Sequence, residues 1–329
     1  MHRQHLFTGV SWSIRSFEVI NLNNYIWIMV AVLSVASVAT AAEPTRTLND
    51  HSFMPSEVIS SPFALSNFTS LTGGGMAFNV KTPFLDEDGE EIGTLEGDVA
   101  FMALGFRYQQ RIGNWFAARL GFIGGARLGV DEQSVLAQGV TGTYSFTFGG
   151  IGRILQSEKV ILSASLDFSQ TSVVGLDPYG FANRVIEDGI ETDNDLVKSG
   201  GVYSGKLGLL AGWSPVDWLG LNGYIEGSHG DFSEVETETA IGGGLAAGVD
   251  FKNLDLVPIG AQLLARSASV TSGGADIASR SWAYGLGLFY TGWDDFSLSL
   301  EGTMNTYKRR GEGDDFESFV GTFNLTYWP

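Results

Sequence analysis

Long stretches of this sequence alternate, residue by residue, between apolar and small polar side chains, and this two-residue period restricts the fold more than any other feature. Successive side chains of a β-strand point to opposite faces, so strict alternation marks a strand with one apolar and one polar face. From Phe296 to Met304, one parity reads Phe296, Leu298, Leu300, Gly302 and Met304, and the other reads Ser297, Ser299, Glu301 and Thr303. Tyr144, Phe146 and Phe148 alternate with Thr143, Ser145 and Thr147. Val160, Leu162, Ala164, Leu166 and Phe168 alternate with Ser163, Ser165 and Asp167, and Phe319, Phe323, Leu325 and Tyr327 oppose Thr322, Asn324 and Thr326. Weaker versions run through 100–109, 116–122 and 282–291.

The pattern predicts twelve strands, at 72–82, 97–111, 114–128, 137–151, 159–171, 200–213, 217–229, 238–251, 255–270, 280–292, 295–307 and 315–328. The connections between them fall into two sets. Those after even-numbered strands are short, such as Ile112-Gly113, Ser214-Pro215-Val216 and Trp293-Asp294. Those after odd-numbered strands are longer and more polar, the longest running from about 172 to 199. Alternating short turns and long loops, with strands apolar on one side and polar on the other, describe an antiparallel up-and-down barrel in a membrane. Trp115, Trp213, Trp218, Trp293 and Trp328 all lie beside short turns or at the chain end, where they form an aromatic girdle at one interface. Gly242, Gly243 and Gly244 suit a strand that bends and is crowded, and without a βαβ context they carry no phosphate-binding signal.

Before the strands, Arg3 and Arg15 precede an apolar run from Tyr25 to Val38, then Ala39-Thr40-Ala41. This is the pattern of a cleaved signal peptide, 1–41, rather than a spanning helix. The net charge of −18 disfavours nucleic acid as a partner. The absence of cysteine removes thiolate metal sites, cysteine nucleophiles and redox motifs together. Between the signal peptide and the barrel (72–329), residues 42–71 include Pro44, Pro55 and Pro62. They read as a periplasmic tail or as a lumen plug, and the tail is preferred because termini are commonly loose unless tied down.

Over roughly 70–329 the chain resembles bacterial outer-membrane β-barrel proteins of the porin-like, transport-barrel class. Their final strand of alternating aromatics is matched by Phe323, Leu325, Tyr327 and Trp328, followed here by Pro329. The resemblance implies the outer membrane, with both termini periplasmic. It also implies contact with outer-membrane lipid and lipopolysaccharide, and handling by the barrel-assembly machinery during biogenesis.

By parity, the lumen-lining charges are Arg107, Arg119, Arg127, Asp167, Lys206, Glu226, Arg266 and Glu301. They either pair across a filled interior or line a hydrated passage that orients polar solutes. The function expected is a passive channel or uptake pore for small solutes. The alternative is a closed structural or adhesive barrel acting through its long acidic loops. No catalytic set, metal site or cofactor is expected. His229-Gly230-Asp231 lacks the nucleophile and oxyanion donors an enzyme needs. The acidic runs Asp86–Glu91 and Glu187–Asp195 lack calcium-loop spacing, which leaves them as solvated loops that could share divalent ions with a surface partner.

Overall fold

A chain whose strands each have one apolar face can satisfy every backbone group in lipid only by closing on itself. A computed structural model, which describes residues 46–85, 91–130, 139–176, 197–232, 235–272, 278–309 and 316–329, has that form. Two short strands, β1 (Thr47–Leu48) and β2 (His51–Ser52), pair with each other in a small hairpin. Twelve further strands form one closed antiparallel barrel. They are β3 (Asn67–Leu85), β4 (Glu91–Ile112), β5 (Phe116–Gly129), β6 (Val140–Gln156), β7 (Val160–Leu176) and β8 (Val197–Val216), then β9 (Leu219–Phe232), β10 (Val235–Asp250), β11 (Ile259–Ser272), β12 (Ala278–Tyr290), β13 (Phe296–Arg309) and β14 (Phe316–Tyr327). Each pairs with its neighbours in sequence, and β14 pairs with β3 to close the ring.

All twelve expected strands are present, and their ends show where local chemistry overrides periodicity. The barrel begins at Asn67, five residues before the expected 72, because β3 keeps its pairing with β4 and β14 down to Asn67 and Phe68. It does so even though Ser70 and Thr72 face outward and Leu71 inward, against the apolar–polar pattern. β11 starts at Ile259 rather than 255, because 251–254 form a 3₁₀ turn. Asp250 caps that turn by accepting from the Lys252 amide, and Asp255 ends it in the left-handed region at φ 56°. At the other rim, β3 and β4 run well past the expected 82 and 97, and only 233–234 separate β9 from β10. The loops there are therefore less uniformly long than the alternation suggests. The segment 1–41 expected to be a signal peptide and both acidic runs lie outside the described residues, apart from the Glu91 backbone.

The outer surface is an apolar belt. Met102, Leu104, Leu120, Phe146, Phe148, Ile225, Leu245, Leu263, Leu286 and Leu300 are all exposed on it, while Ser163, Ser165, Ser299, Thr303 and Asn324 are buried on the inner face. No soluble fold leaves so much contiguous apolar area in water. The belt is the surface of a barrel that spans a bilayer.

Candidate functional site

The lumen is filled at the short-turn end, and the filling comes from the chain itself. Asn49 and Asp50 take positive φ to turn the β1–β2 hairpin, and its tip is held by the rim. The Asn49 amide donates to the Glu158 carbonyl at 2.7 Å, and Asn253 Nδ2 donates to the Asp50 carbonyl at 3.1 Å. From there residues 53–66, with a bend at 57–59, cross the barrel to reach β3. The preferred reading of 42–71 as a loose tail thus gives way over 46–66, because this segment finds partners on strands around most of the circumference.

Those partners are polar and apolar in turn. The Ser56 hydroxyl donates to Glu301 Oε2 on β13 at 2.6 Å and accepts from the Val58 and Ile59 amides. Glu57 forms an ion pair with Arg107 on β4. Gln109 Nε2 donates to the carbonyls of Phe63 and Leu65, Ser163 Oγ to that of Pro62, and Tyr224 to that of Val58. Ile59 and Ala64 pack with Ala117, Ile151, Leu210, Tyr224, Ala246 and Leu264 of the wall, and Leu48, Phe53 and Phe63 pack with Ile161. Burying apolar side chains of this size stabilises by about 1.5–3 kcal/mol each, so the plug is a packed element and not a strand of chain left in a pore.

Two glycines of the wall make this docking possible. A Cβ on Gly220 would lie 2.2 Å from His51 Cδ2, and one on Gly244 would lie 2.7 Å from Ile59 Cδ1. Any side chain there would displace the plug. Gly244 of the glycine triplet thus serves close packing of a second chain segment, beyond the strand bending inferred for it. His51 is 2% exposed and meets Phe53 edge-on at 4.9 Å. Burial lowers its pKa from the usual range to about 4, with Asp217 opposing the shift. The docked plug therefore holds a neutral imidazole.

The sequence-derived lumen residues divide between this plug and the open part above it. Arg107 binds the plug through Glu57, and Glu301 binds it through Ser56. Arg119 Nη2 donates to Asp167 Oδ2 at 2.7 Å, joining β5 to β7 across Gly149 of β6. Lys206 and Glu226 pair at 3.2 Å on the adjacent β8 and β9. Arg127 is exposed nearer the long-loop rim, where hydroxyl pairs such as Ser169–Ser204 and Thr171–Ser145 line the wall, and Arg266, exposed as well, lies beside Gly244 at the level of the plug. Basic and acidic residues are therefore interleaved by pairing more than they are segregated into two walls.

Among the tryptophans, Trp115, Trp213, Trp218 and Trp293 are exposed at the short-turn rim. Trp328 is half-buried, with the Arg46 guanidinium 5.6 Å above its ring. Arg46 also donates to the Trp293 carbonyl at 3.0 Å, so the plug's first described residue is tied to the end of the barrel. His229 faces outward on β9, with Nδ1 3.1 Å from the Thr239 hydroxyl. The described residues hold no group of three or more metal-ligating side chains.

No protein-family model matches the sequence, and no curated relative matches it. Solved structures do match in fold. An outer-membrane channel from Pseudomonas putida F1 superposes with a TM-score of 0.50 at 10% identity, covering 84% of this chain and 99% of that one. The β-domain of the Bordetella autotransporter BrkA gives 0.46 at 9% identity, with coverage of 80% and 100%. LpxR from Salmonella typhimurium gives 0.44 at 13% identity, with coverage of 80% and 100%. With its closed ring, apolar belt and polar interior, the chain has the fold of the outer-membrane β-barrels.

Proposed function

We propose that the protein is an outer-membrane channel for small polar solutes, shut at its periplasmic end by its own N-terminal segment. In this reading both termini and the short turns face the periplasm, and the longer connections face out. The observation that carries it is the nature of the plug's anchors. Ser56–Glu301 and Glu57–Arg107 are a hydrogen bond and an ion pair, formed without any covalent tie, to wall residues that would otherwise face the lumen. Above them the wall offers hydroxyls and the Arg119–Asp167 and Lys206–Glu226 pairs, which suits hydrated polar solutes and not apolar ones. A barrel with no need to open could be closed permanently by bulky inward side chains. Here two wall glycines instead leave space that only the N-terminal segment fills. The reading assigns no catalytic role to His229.

The test is conductance in planar bilayers of the full chain against a variant lacking residues 46–65. The full chain should be closed or conduct in brief steps, and the deletion should conduct steadily. If the deletion variant refolds, as judged by its heat-modifiable gel mobility, yet passes no current, the channel reading fails. The long acidic loops of a closed structural or adhesive barrel would then carry the function.

A further inference from the structure

Of the two polar anchors that hold the plug, one is sealed and one faces the lumen. Ser56 and Glu301 are both buried, so water does not reach the bond between them. The next plug residue behaves differently. In its ion pair the Arg107 side chain is 44% exposed and that of Glu57 15%. Water and dissolved ions compete for charges placed this way, and the partners exchange readily. The plug thus presents its carboxylate to a guanidinium that an ion in the lumen can also approach.

The surroundings of Arg107 indicate which ion competes with Glu57. Arg107 on β4 is the cross-strand partner of Gly121 on β5, where an added Cβ would lie 3.7 Å from Arg107 Cγ. Arg119 is two residues from Gly121 on the same inward face, so two guanidiniums are neighbours there. Like charges placed together on one sheet face repel. Asp167 holds Arg119, whereas the carboxylate on Arg107 comes from the plug. Arg119, Glu301 and Asp167 all lie within electrostatic reach of Arg107. These two cations and two anions balance, so Glu57 is one negative charge beyond neutrality. A dianion such as phosphate would bring a second one beside Asp167 and Glu301. A planar carboxylate of single charge matches the guanidinium fork as Glu57 does.

We propose that Glu57 is a built-in substitute for the solute: the channel takes small organic monocarboxylates, and such a solute opens it by replacing Glu57 on Arg107. This rests on the channel reading above and narrows its class of solute. Plug and solute need the same face of one guanidinium, so binding of either weakens the other by an equal factor. A solute at ten times its dissociation constant lowers the ratio of docked to undocked plug about tenfold. Because Ser56 adjoins Glu57, lifting Glu57 also admits water to the Ser56–Glu301 bond. Without a replacing anion, undocking would leave Arg107 beside Arg119 with no carboxylate of the plug, which keeps the unliganded channel shut.

The experiment uses the refolded full chain in detergent micelles at fixed pH and ionic strength, with sodium butyrate, butyramide, sodium phosphate and sodium chloride as probes. Chymotrypsin cleavage at Phe53 and Phe63, both buried in the docked plug, reports undocking. Butyrate at ten times its dissociation constant should speed cleavage about tenfold, and neutral butyramide should not. Equilibrium dialysis then measures butyrate affinity. Glu57→Gln removes the competitor and should tighten binding about tenfold, while Arg107→Gln should abolish it with heat-modifiable mobility retained. Glu57→Gln alters only the plug, so it tests the site independently of how well Arg107→Gln assembles. Unchanged affinity in Glu57→Gln would overturn the proposal, as would chloride that speeds cleavage as much as butyrate. An equal effect of phosphate would overturn the carboxylate assignment. None of these readings uses current. A deletion variant that passes no current removes the channel and leaves this site, and an unresponsive plug on a conducting barrel does the reverse.

Discussion

The Ser56 hydroxyl and the Glu301 carboxylate, 245 residues apart in sequence, meet in a buried hydrogen bond of 2.6 Å inside the barrel. Removing the donor leaves a buried carboxylate under-solvated, at a cost of about 1–3 kcal/mol. Ser56→Ala should therefore weaken plug docking and leave the barrel intact. Bilayer recordings should show more frequent openings with unchanged heat-modifiable mobility. Glu301→Gln keeps an acceptor for Ser56 and should be milder. Openings no more frequent in Ser56→Ala than in wild type would show that this contact does not hold the plug.

Gly220 and His51 supply a steric test. Because a Cβ on Gly220 would fall 2.2 Å from the imidazole, Gly220→Ala should destabilise docking by about 1–3 kcal/mol, the usual range for overpacking. Limited proteolysis in micelles should then cut within 46–66. Adding His51→Ala should restore protection, since the clash disappears with the ring. If protection stays lost in the double variant, the imidazole is not what the glycine accommodates.

His51 also makes docking depend on acidity. Its pKa of about 4 in the docked state lies below the free value of 6.5. The released plug therefore binds the extra proton, and docking weakens as pH falls from about 6.5 towards 4. At pH 5 the loss is about 2 kcal/mol, from roughly 1.4 kcal/mol per pH unit. Conductance should rise between pH 7 and pH 5 in the wild type. His51→Phe should flatten that rise, and an undiminished rise in this variant would move the sensor elsewhere.

Facing of the wall can be checked with two neighbours on β6. Phe148 is exposed on the apolar belt and Thr147 points inward above the plug. Phe148→Arg should cost about 2–4 kcal/mol in folding into vesicles, and Thr147→Arg far less. Similar losses at both positions would contradict the membrane placement of the belt.

In a barrel lacking residues 46–65, Arg107 is freed from Glu57 and Arg119 still pairs with Asp167. Replacing both arginines with Ser removes the positive charges that β4 and β5 bring to the passage. Reversal potential under a salt gradient should then shift towards cations. An unchanged reversal potential with normal conductance would place the ion path away from these residues.

Most of the wall was legible in the sequence because lipid imposes its own rule. A side chain such as Leu300 must be apolar and its neighbour Ser299 must not be, so the period appears directly in the letters. The 3₁₀ turn at 251–254 escaped because Asp250, Asp255 and Pro258 act through caps and backbone angles, which leave no period. The plug, the less favoured of the two readings of its segment, is hard to see for a related reason, since 46–66 carries Pro55 and Pro62 and pairs with nothing in regular register beyond the small hairpin. Its trace lay on the wall. Ile151, Ile161, Leu210 and Leu264 are large apolar residues at inward parity, all towards the short-turn end, and a purely water-filled lumen has no use for them. The charge pairing of Arg107 was equally out of reach, because its partner Glu57 sat in the segment read as a tail.

The plug's contacts also impose an order on assembly. Gln109, Ser163, Leu210, Tyr224, Leu264 and Glu301 belong to β4, β7, β8, β9, β11 and β13, and they surround a common volume only after β14 has met β3. The segment that precedes every barrel strand in the chain is thus the last to find its place. An incompletely zipped ring offers it no seat, so a docked N-terminus reports that the wall is whole.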